Sequence, residues 1–449
     1  MKNSPIILLM ALTPIDASFF TAQKAEVLKG NFNSATAQWT TSTQREPEWG
    51  SLPRAPLREI SYQPDSTAPL EIDNKTMMRL SENSEVALYQ NGKSLEAILN
   101  LVNKAEKFIF IQVLAIACDE STESLFEKLK EKARSGIDVK IIVNKTYSFL
   151  SYSCLRELKN SGIAISKAPT HSTYLLNDKG NLLIGAQSFT KTFFYSDGFN
   201  FLDRDMMLHA HGPVSKEALI DFIETWNENE ETKIDNFKYI LTMAKINSPK
   251  KCLFVSQKPK SKKRDLQNLL LNLSEKSKQS IIASGVKILQ NDSTMSLIKL
   301  LKNKSISGVR VDYIGNGWDG GNGELTMYLN ELYHRYLDRG RKYLAKTINW
   351  LREKDQISQS KKHFKAYKSL VADSDITVWT YFNFVHYKVW SFDNSGIFVG
   401  SANVAEDSFE SFYEAGVFCL DRALSEELNH ELARDKANSI PIYRESLTL

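Results

Sequence analysis

The feature that most restricts how this 449-residue chain can fold is an internal repeat. Residues 105–144 lie over residues 277–316 at a constant offset of 172, without a gap. On that alignment Ser121, Thr122, Ser124 and Leu125 meet Ser293, Thr294, Ser296 and Leu297. Gly136, Val139, Ile142 and Asn144 meet Gly308, Val311, Ile314 and Asn316. Such a repeat is one supersecondary unit written twice. The apolar run at 108–111 reads as a buried strand, and Leu125, Phe126 and Leu129 mark one face of an amphipathic helix. Gly136 and Gly308 close the two copies of that helix, and "IDVKIIV" and "VRVDYIG" read as second strands. Strand, helix, strand with a single crossover predicts a parallel βαβ unit, so each half is an α/β body.

A helical pattern precedes each copy, from Ser94 and from Asp265. The polar stretch 227–264 separates the halves and ends in the basic run "KPKSKKR". A solvated linker explains that run better than a headgroup or nucleic-acid patch. The expected organisation is an N-terminal extension at 1–84, a first repeat at 85–230, a linker at 231–264 and a second repeat at 265–449.

Two histidine motifs follow the duplicated units. "HSTYLLND" begins at His171 and "HYKVWSFD" at His386, each with an aspartate seven positions on (Asp178, Asp393) and a glycine seven further (Gly185, Gly400). The second motif comes 43 residues later than the offset of 172 requires, which places an insertion at about 317–378. It includes a glycine-rich loop, "GWDGGNGEL", and a helical stretch at 328–353. Alternation along a strand puts His386 and Lys388 on one face, and a turn at 393–396 returns the chain to Gly400, Ser401 and Asn403. An imidazole, an ammonium, a hydroxyl and an amide converging form a phosphate site.

This string, His386-x-Lys388-x4-Asp393-x6-Gly400-Ser401-x-Asn403, resembles the HKD motif of the phospholipase D superfamily at every position. Glu414, eleven residues after Asn403, stands where the family carries an acid. In the first half His171, Asp178 and Gly185 keep their places. The segment with Asp205 as its acid, then Gly212, Pro213 and Trp226, is similar to bacterial cardiolipin-synthase-like members. The departures are Thr173 for the lysine, Ala186 for the serine and Ser188 for the asparagine.

The resemblance, over about residues 85–430, implies a fold of class α/β. Two pseudo-symmetric phospholipase D-like α/β/α repeats, mixed sheets flanked by helices, would share one active site at their interface. It implies catalytic roles for His171, His386, Lys388, Asp178 and Asp393. Phosphate or substrate contacts would fall to Thr173, Ser188, Ser401, Asn403, Glu414 and Asp205. In the family one histidine attacks phosphorus to give a phosphohistidine. The other protonates the leaving alcohol and then activates the incoming water or alcohol, with no metal or other cofactor. Family practice favours His171 as nucleophile, whereas the better-furnished pocket surrounds His386, and the assignment stays open here. A missing charge-assisted donor costs about 2.7–4 kcal/mol of transition-state stabilisation, which slows an enzyme without abolishing it. Lys191 is a candidate to substitute in space.

Phosphodiester hydrolysis or phosphatidyl transfer on phospholipids is therefore the expected function, with a peripheral membrane contact and a monomer, since one chain holds both motifs. A nucleic-acid phosphodiesterase uses the same chemistry, and a phosphate- or lipid-binding protein weakened at Thr173 is the third reading. The net charge of +4 permits an anionic partner without requiring one. The N-terminus, Lys2 before an apolar run at 6–12, has the pattern of a secretory signal ending near residue 22, or else of a first strand or helix. The signal reading implies a secreted or envelope location. No run approaches the ~20 apolar residues of a membrane span. Cys118, Cys154, Cys252 and Cys419 show no metal or disulfide spacing and read as small buried hydrophobes. His209 and His211 read as a strand end rather than a metal pair, and the aromatics at 379–390 as strand core rather than a lipid groove.

Overall fold

The computed structural model describes residues 30–33, 38–41, 69–83, 85–149, 152–190, 194, 204–235, 238–242, 250–317, 329, 332–333, 336–337, 340–381 and 384–447. The signal segment, Trp49, Lys191, Phe382 and the glycine-rich loop beyond Gly317 lie outside these residues. One compact unit covers residues 1–53, and its described part is an antiparallel pair, β1 (Gly30–Asn33) and β2 (Gln38–Thr41). The second unit, residues 54–449, holds everything else described below.

The duplication extends strand for strand through two sheets. After β3 (Ser81–Asn83), the first repeat contributes β4 (Glu85–Gln90), β5 (Phe108–Val113), β6 (Asp138–Asn144), β7 (Ala164–Ala168), β8 (Thr173–Asn177), β9 (Asn181–Gly185) and β10 (Met206–His211). They lie side by side in the order β4-β10-β9-β8-β5-β6-β7. The second repeat contributes β11 (Lys250–Gln257), β12 (Ser280–Ser284), β13 (Arg310–Asn316), β14 (Thr377–Tyr381), β15 (Lys388–Phe392), β16 (Gly396–Gly400), β17 (Glu414–Leu420) and β18 (Ser439–Ile442). Their order is β18-β14-β13-β12-β15-β16-β17-β11-β3. Without the edge strands β18 and β3, this is the order of the first sheet. In each, three strands run parallel through crossover helices and the others pair antiparallel, so both sheets are mixed.

The parallel registers repeat the sequence alignment: Phe108 faces Asp138, and Ser280 faces Arg310. Helices Glu123–Arg134 and Met295–Ile306 make the crossovers. They stop at Gly136 (φ 90°) and Gly308 (φ 93°), in the left-handed region where a Cβ is penalised. One apolar core spans both repeats, from Phe110 and Tyr174 to Val389 and Val417. Helix Val214–Asn229 contributes Phe222, stacked on Phe110 at 4.6 Å, and Trp226.

Three expectations change. The interval 231–264 is not simply a linker, because "KKCLFVSQ" forms β11 between β17 and β3. The basic run after it is tied down, with Lys258 2.9 Å from Glu224 and Arg264 paired with Glu410. The insertion carries helix Lys342–Ala372, which runs 19 residues past the stretch expected at 328–353, and residues 329, 332–333 and 336–337 within that stretch are helical too. The cysteines are bonded, Cys118 to Cys154 and Cys252 to Cys419. Topology creates these pairs: Cys252 and Cys419 sit opposite one another on β11 and β17, 167 residues apart in sequence. Among the described residues no helix is long and apolar enough to cross a membrane.

Asp178 and Asp393 end β8 and β15, and their buried carboxylates serve as backbone acceptors. Asp178 accepts from the N–H of Glu106 and Lys107 at 2.9 and 3.0 Å. Asp393 accepts from Lys278, Gln279 and Ser280 at 2.8, 2.8 and 2.9 Å. Each aspartate thus fastens the histidine-bearing hairpin to the start of its neighbouring strand. Each lies seven positions along an extended chain from its histidine, roughly 20 Å. The carboxylates are therefore too distant for the catalytic role expected of them. Asp393→Ala leaves buried N–H groups unpaired and is expected to lower unfolding stability by about 3 kcal/mol. Denaturant titration measures it, and an unchanged midpoint would contradict the fastening role.

Candidate active site

Each histidine lies just before its strand: His171 precedes β8 and His386 precedes β15. The backbone of the opposite repeat holds each in place. His171 N–H donates to the Tyr413 carbonyl at 2.9 Å, and His386 N–H donates to the Arg204 carbonyl at 2.8 Å. Tyr413 and Arg204 precede the two acids, Glu414 and Asp205. The side chains exchange in the same way. His171 Nδ1 is 2.8 Å from Glu414 Oε1, and His386 Nδ1 is 2.8 Å from Asp205 Oδ2. A carboxylate only accepts, so both rings carry their proton on Nδ1 and present Nε2. Asp205 and Glu414 therefore orient the histidines, where sequence placed them among the phosphate contacts.

The acids are themselves held. The Met206 N–H donates to Asp205 Oδ1 at 2.8 Å, and Asn91 Oδ1 accepts from the Asp205 N–H at 2.9 Å. The Ser401 hydroxyl donates to Glu414 Oε2, so it supports the acid rather than meeting a phosphate directly. Ala186 stands at the corresponding place in the first repeat and offers no hydroxyl. Arg204 is ion-paired with Asp435 at 2.8 Å and Glu431 at 3.0 Å, which fixes the carbonyl that receives the His386 N–H.

Around the rings the two repeats differ. Lys388 is buried within the second-repeat side, near enough to His386 to disfavour its protonation. Asn403 Oδ1 accepts from the N–H of Val286 and Lys287 at 3.1 and 3.3 Å. That leaves its amide nitrogen as the donor group. The matched positions, Thr173 and Ser188, carry hydroxyls that are buried without a hydrogen-bond partner among the described residues. Gly185 and Gly400 allow the strands to approach. A Cβ at Gly185 would lie 2.3 Å from the Met206 carbonyl oxygen, and one at Gly400 would lie 2.7 Å from that of Ala415.

Sequence reasoning missed other neighbours. Phe412 stacks against His171 at 5.7 Å, and Phe384 lies 5.6 Å from His386. Lys287 pairs with Asp407 at 2.8 Å, and both His171 and Lys287 favour the ionised form of that buried carboxyl, which stays below its usual range against the effect of burial. Lys287 corresponds to Ala115 in the first repeat, so no motif pointed to it. His209 and His211 face Asn181 Oδ1 and the Lys179 carbonyl at 3.1 and 3.0 Å. Tyr381, Tyr387 and Trp390 are buried in the core. Among the described residues no group of three or more His, Cys, Asp or Glu side chains is placed to hold a metal ion.

Burial, and then Lys388, lower the His386 pKa to about 4, against the opposing pull of Asp205. Its ring is neutral near pH 7, with the Nε2 lone pair free of a proton. Charge on His171 also acts on it, which places the two rings in one electrostatic site.

Known proteins are similar to this chain. Residues 270–436 match the family described as "Cardiolipin synthase, PLD-like domain". The chain is 22% identical over 396 residues to a cardiolipin synthase of Clostridium perfringens, covering 81% of this chain and 72% of that one. A cardiolipin synthase of Listeria welshimeri is 22% identical over 374 residues, covering 79% and 70%. The solved phosphatidylserine synthase of Haemophilus influenzae matches with a TM-score of 0.56 at 12% identity, over 84% of this chain and 92% of that one, which is a likeness of fold. The second repeat thus matches a phospholipase D-like domain, and over most of its length the chain is similar to bacterial cardiolipin synthases.

Burial also lowers the pKa of His209 and His363 to about 4. With His386, three neutral rings must each take up a proton when the chain unfolds below pH 6.5. Their contribution to stability is complete above pH 6.5 and is lost as pH falls toward 4. Asp221, raised by burial to about 6, acts in the opposite sense, as do Glu217, Glu427 and Asp435, which burial also raises, while the lowered carboxyls of Asp312 and Asp407 add to the loss in acid. The melting temperature is expected to fall between pH 6.5 and 4, and His363→Gln should flatten that slope. An identical slope in the variant would show that His363 does not titrate this way.

Proposed function

We propose that this chain transfers or hydrolyses the phosphatidyl group of a phospholipid through a phosphohistidine, without a metal, acting as a monomer. The observation that carries the reading is the crossed pair of histidine–carboxylate contacts, His171 with Glu414 and His386 with Asp205. Two imidazoles, each oriented by a buried acid, fit a two-step displacement at phosphorus. The relatives named cardiolipin synthase support phospholipid as the substrate class. The two disulfides support an oxidising compartment, in keeping with the secretory pattern at the N-terminus.

The site asymmetry favours His386 as the nucleophile. Its neutral Nε2 attacks phosphorus, the bond from phosphorus to the leaving oxygen breaks, and His171, entering the step doubly protonated with Nδ1–H on Glu414, gives its Nε2 proton to that oxygen. In the second step water or an alcohol gives a proton to His171 and attacks phosphorus. The phosphorus–nitrogen bond then breaks and returns His386 to its starting form. Lys388 and the Asn403 amide bind the non-bridging oxygens, with Thr173 and Ser188 as neutral donors on the other side.

A second reading, phosphate or lipid binding with little turnover, draws on Thr173, Ala186 and Ser188, which replace the motif's lysine, serine and asparagine on one side with two neutral hydroxyls and a methyl group. Turnover of phosphatidylglycerol vesicles by wild type, His171→Ala and His386→Ala separates the two. Both substitutions are expected to lower the rate by at least about 10³, and Lys388→Ala by about 10²–10³. Unaltered turnover in His171→Ala would sink the shared-site scheme, and bound vesicles without wild-type turnover would favour the second reading.

A further inference from the structure

The insertion helix Lys342–Ala372 carries a surface that the phosphate site does not explain. Its inner face is buried at Ala345, Ile348, His363, Tyr367 and Leu370. Its opposite face presents Tyr343, Lys346, Trp350, Lys354, Ile357 and Lys361, three or four positions apart. At 100° per residue all six fall within about 40° of Trp350, along a line of about 27 Å. Along that line apolar side chains and lysines alternate without exception.

The apolar members stand in solvent. Tyr343 is 89% exposed, Trp350 55% and Ile357 42%. The lysines beside them are exposed as well, and Lys354 Nζ is 5.8 Å from the centre of the Trp350 ring. Eight Lys or Arg on this helix face only two acidic side chains, Glu353 and Asp355. A soluble surface does not need three large apolar groups in register.

We propose that this face docks the enzyme on an anionic phospholipid bilayer. Aromatic and aliphatic tips enter the headgroup–acyl boundary while lysine stems extend to the phosphates, as interfacial helices do. Trp and Tyr suit that depth because each has an apolar body and a polar atom. The same stripe fits a second copy poorly. As a coiled-coil seam it would bury a lysine at every other core position, with no acid on the stripe to meet it. A nucleic acid would use the lysines but leave Ile357 without a role.

The helix also reaches the catalytic centre. The Tyr367 hydroxyl donates to the Asn316 carbonyl at 3.3 Å. Asn316 Oδ1 in turn accepts from the N–H of Val385, which precedes His386, at 2.6 Å. The docking face and the site are thus parts of one rigid connection. The proposal adds a membrane surface to the phospholipid reading, and binding tests it without turnover.

The experiment is sedimentation of the full chain with phosphatidylcholine vesicles, with and without phosphatidylglycerol. Lys346→Glu/Lys354→Glu/Lys361→Glu and Tyr343→Ser/Trp350→Ser/Ile357→Ser are compared with wild type after their melting curves are shown to match. Binding is expected only with phosphatidylglycerol and to weaken with added salt. Each lysine near an anionic surface is worth about fivefold in affinity, so the charge variant should bind on the order of 100-fold more weakly. The apolar variant should lose at least about tenfold. Wild-type binding by both variants overturns the proposal. So does an affinity that ignores phosphatidylglycerol, a preference for DNA over vesicles, or self-association that the variants abolish while vesicles go unbound. Vesicle binding that follows the variants, beside a wild type without turnover, would leave the docking face standing and refute the proposed chemistry.

Discussion

The active site depends on an exchange between repeats. Each histidine takes its acid and its backbone acceptor from the other half, so no isolated repeat orients its own imidazole. The two exchanges are equivalent: an N–H to the residue before the acid, and a ring Nδ1–H to the acid itself. The other groups around the two rings are arranged about these four contacts. Gly185 and Gly400 let β9 and β16 approach the acid-bearing strands, and Asp178 and Asp393 fasten the far ends of the histidine hairpins. The shared core that spans the repeats makes the exchange rigid.

Burial gives this arrangement its chemical character. A buried imidazole beside a lysine stays neutral, so His386 keeps an available lone pair where a surface histidine would be partly protonated. The acids nearby are each doubly engaged, Glu414 by His171 and Ser401, and Asp205 by His386 and the Met206 N–H. Removing either partner from such a group leaves a buried charge without full compensation, which is more costly than the pair itself is favourable. The Arg204 pairs with Glu431 and Asp435 extend the same principle outward to helix Arg422–Ala437.

Much of this was legible in the sequence. The offset of 172 located both βαβ units, and the string from His386 to Asn403 picked out His386, Lys388 and Asn403, which the structure holds on the second-repeat side of the histidine pair. The rest was hidden for definite reasons. A motif states which residues belong together but not how far apart an extended strand carries them. Asp393 was therefore read beside His386, though it sits at the other end of β15. The exchange of acids joins residues 181 and 243 positions apart, and local patterns carry no trace of it. The disulfides escaped for the same reason, since the Cys252 and Cys419 strands meet only after the sheet has formed. β11 was concealed because the basic run at 258–264 follows it directly and made the whole interval read as a solvated linker.

Covalent linkage of the two repeats has its own effect on how the site can change. In a symmetric pair of identical chains every substitution appears twice, so losing one motif lysine means losing both. Here Lys388 persists while Thr173 occupies the matched place, and Asn403 faces Ser188 across the same axis. One gene encodes both halves, yet each position in them mutates alone. The joined repeats can thus differ where identical subunits must match, one side carrying a buried ammonium and an amide and the other two neutral hydroxyls. The tether between the repeats is what permits broken symmetry.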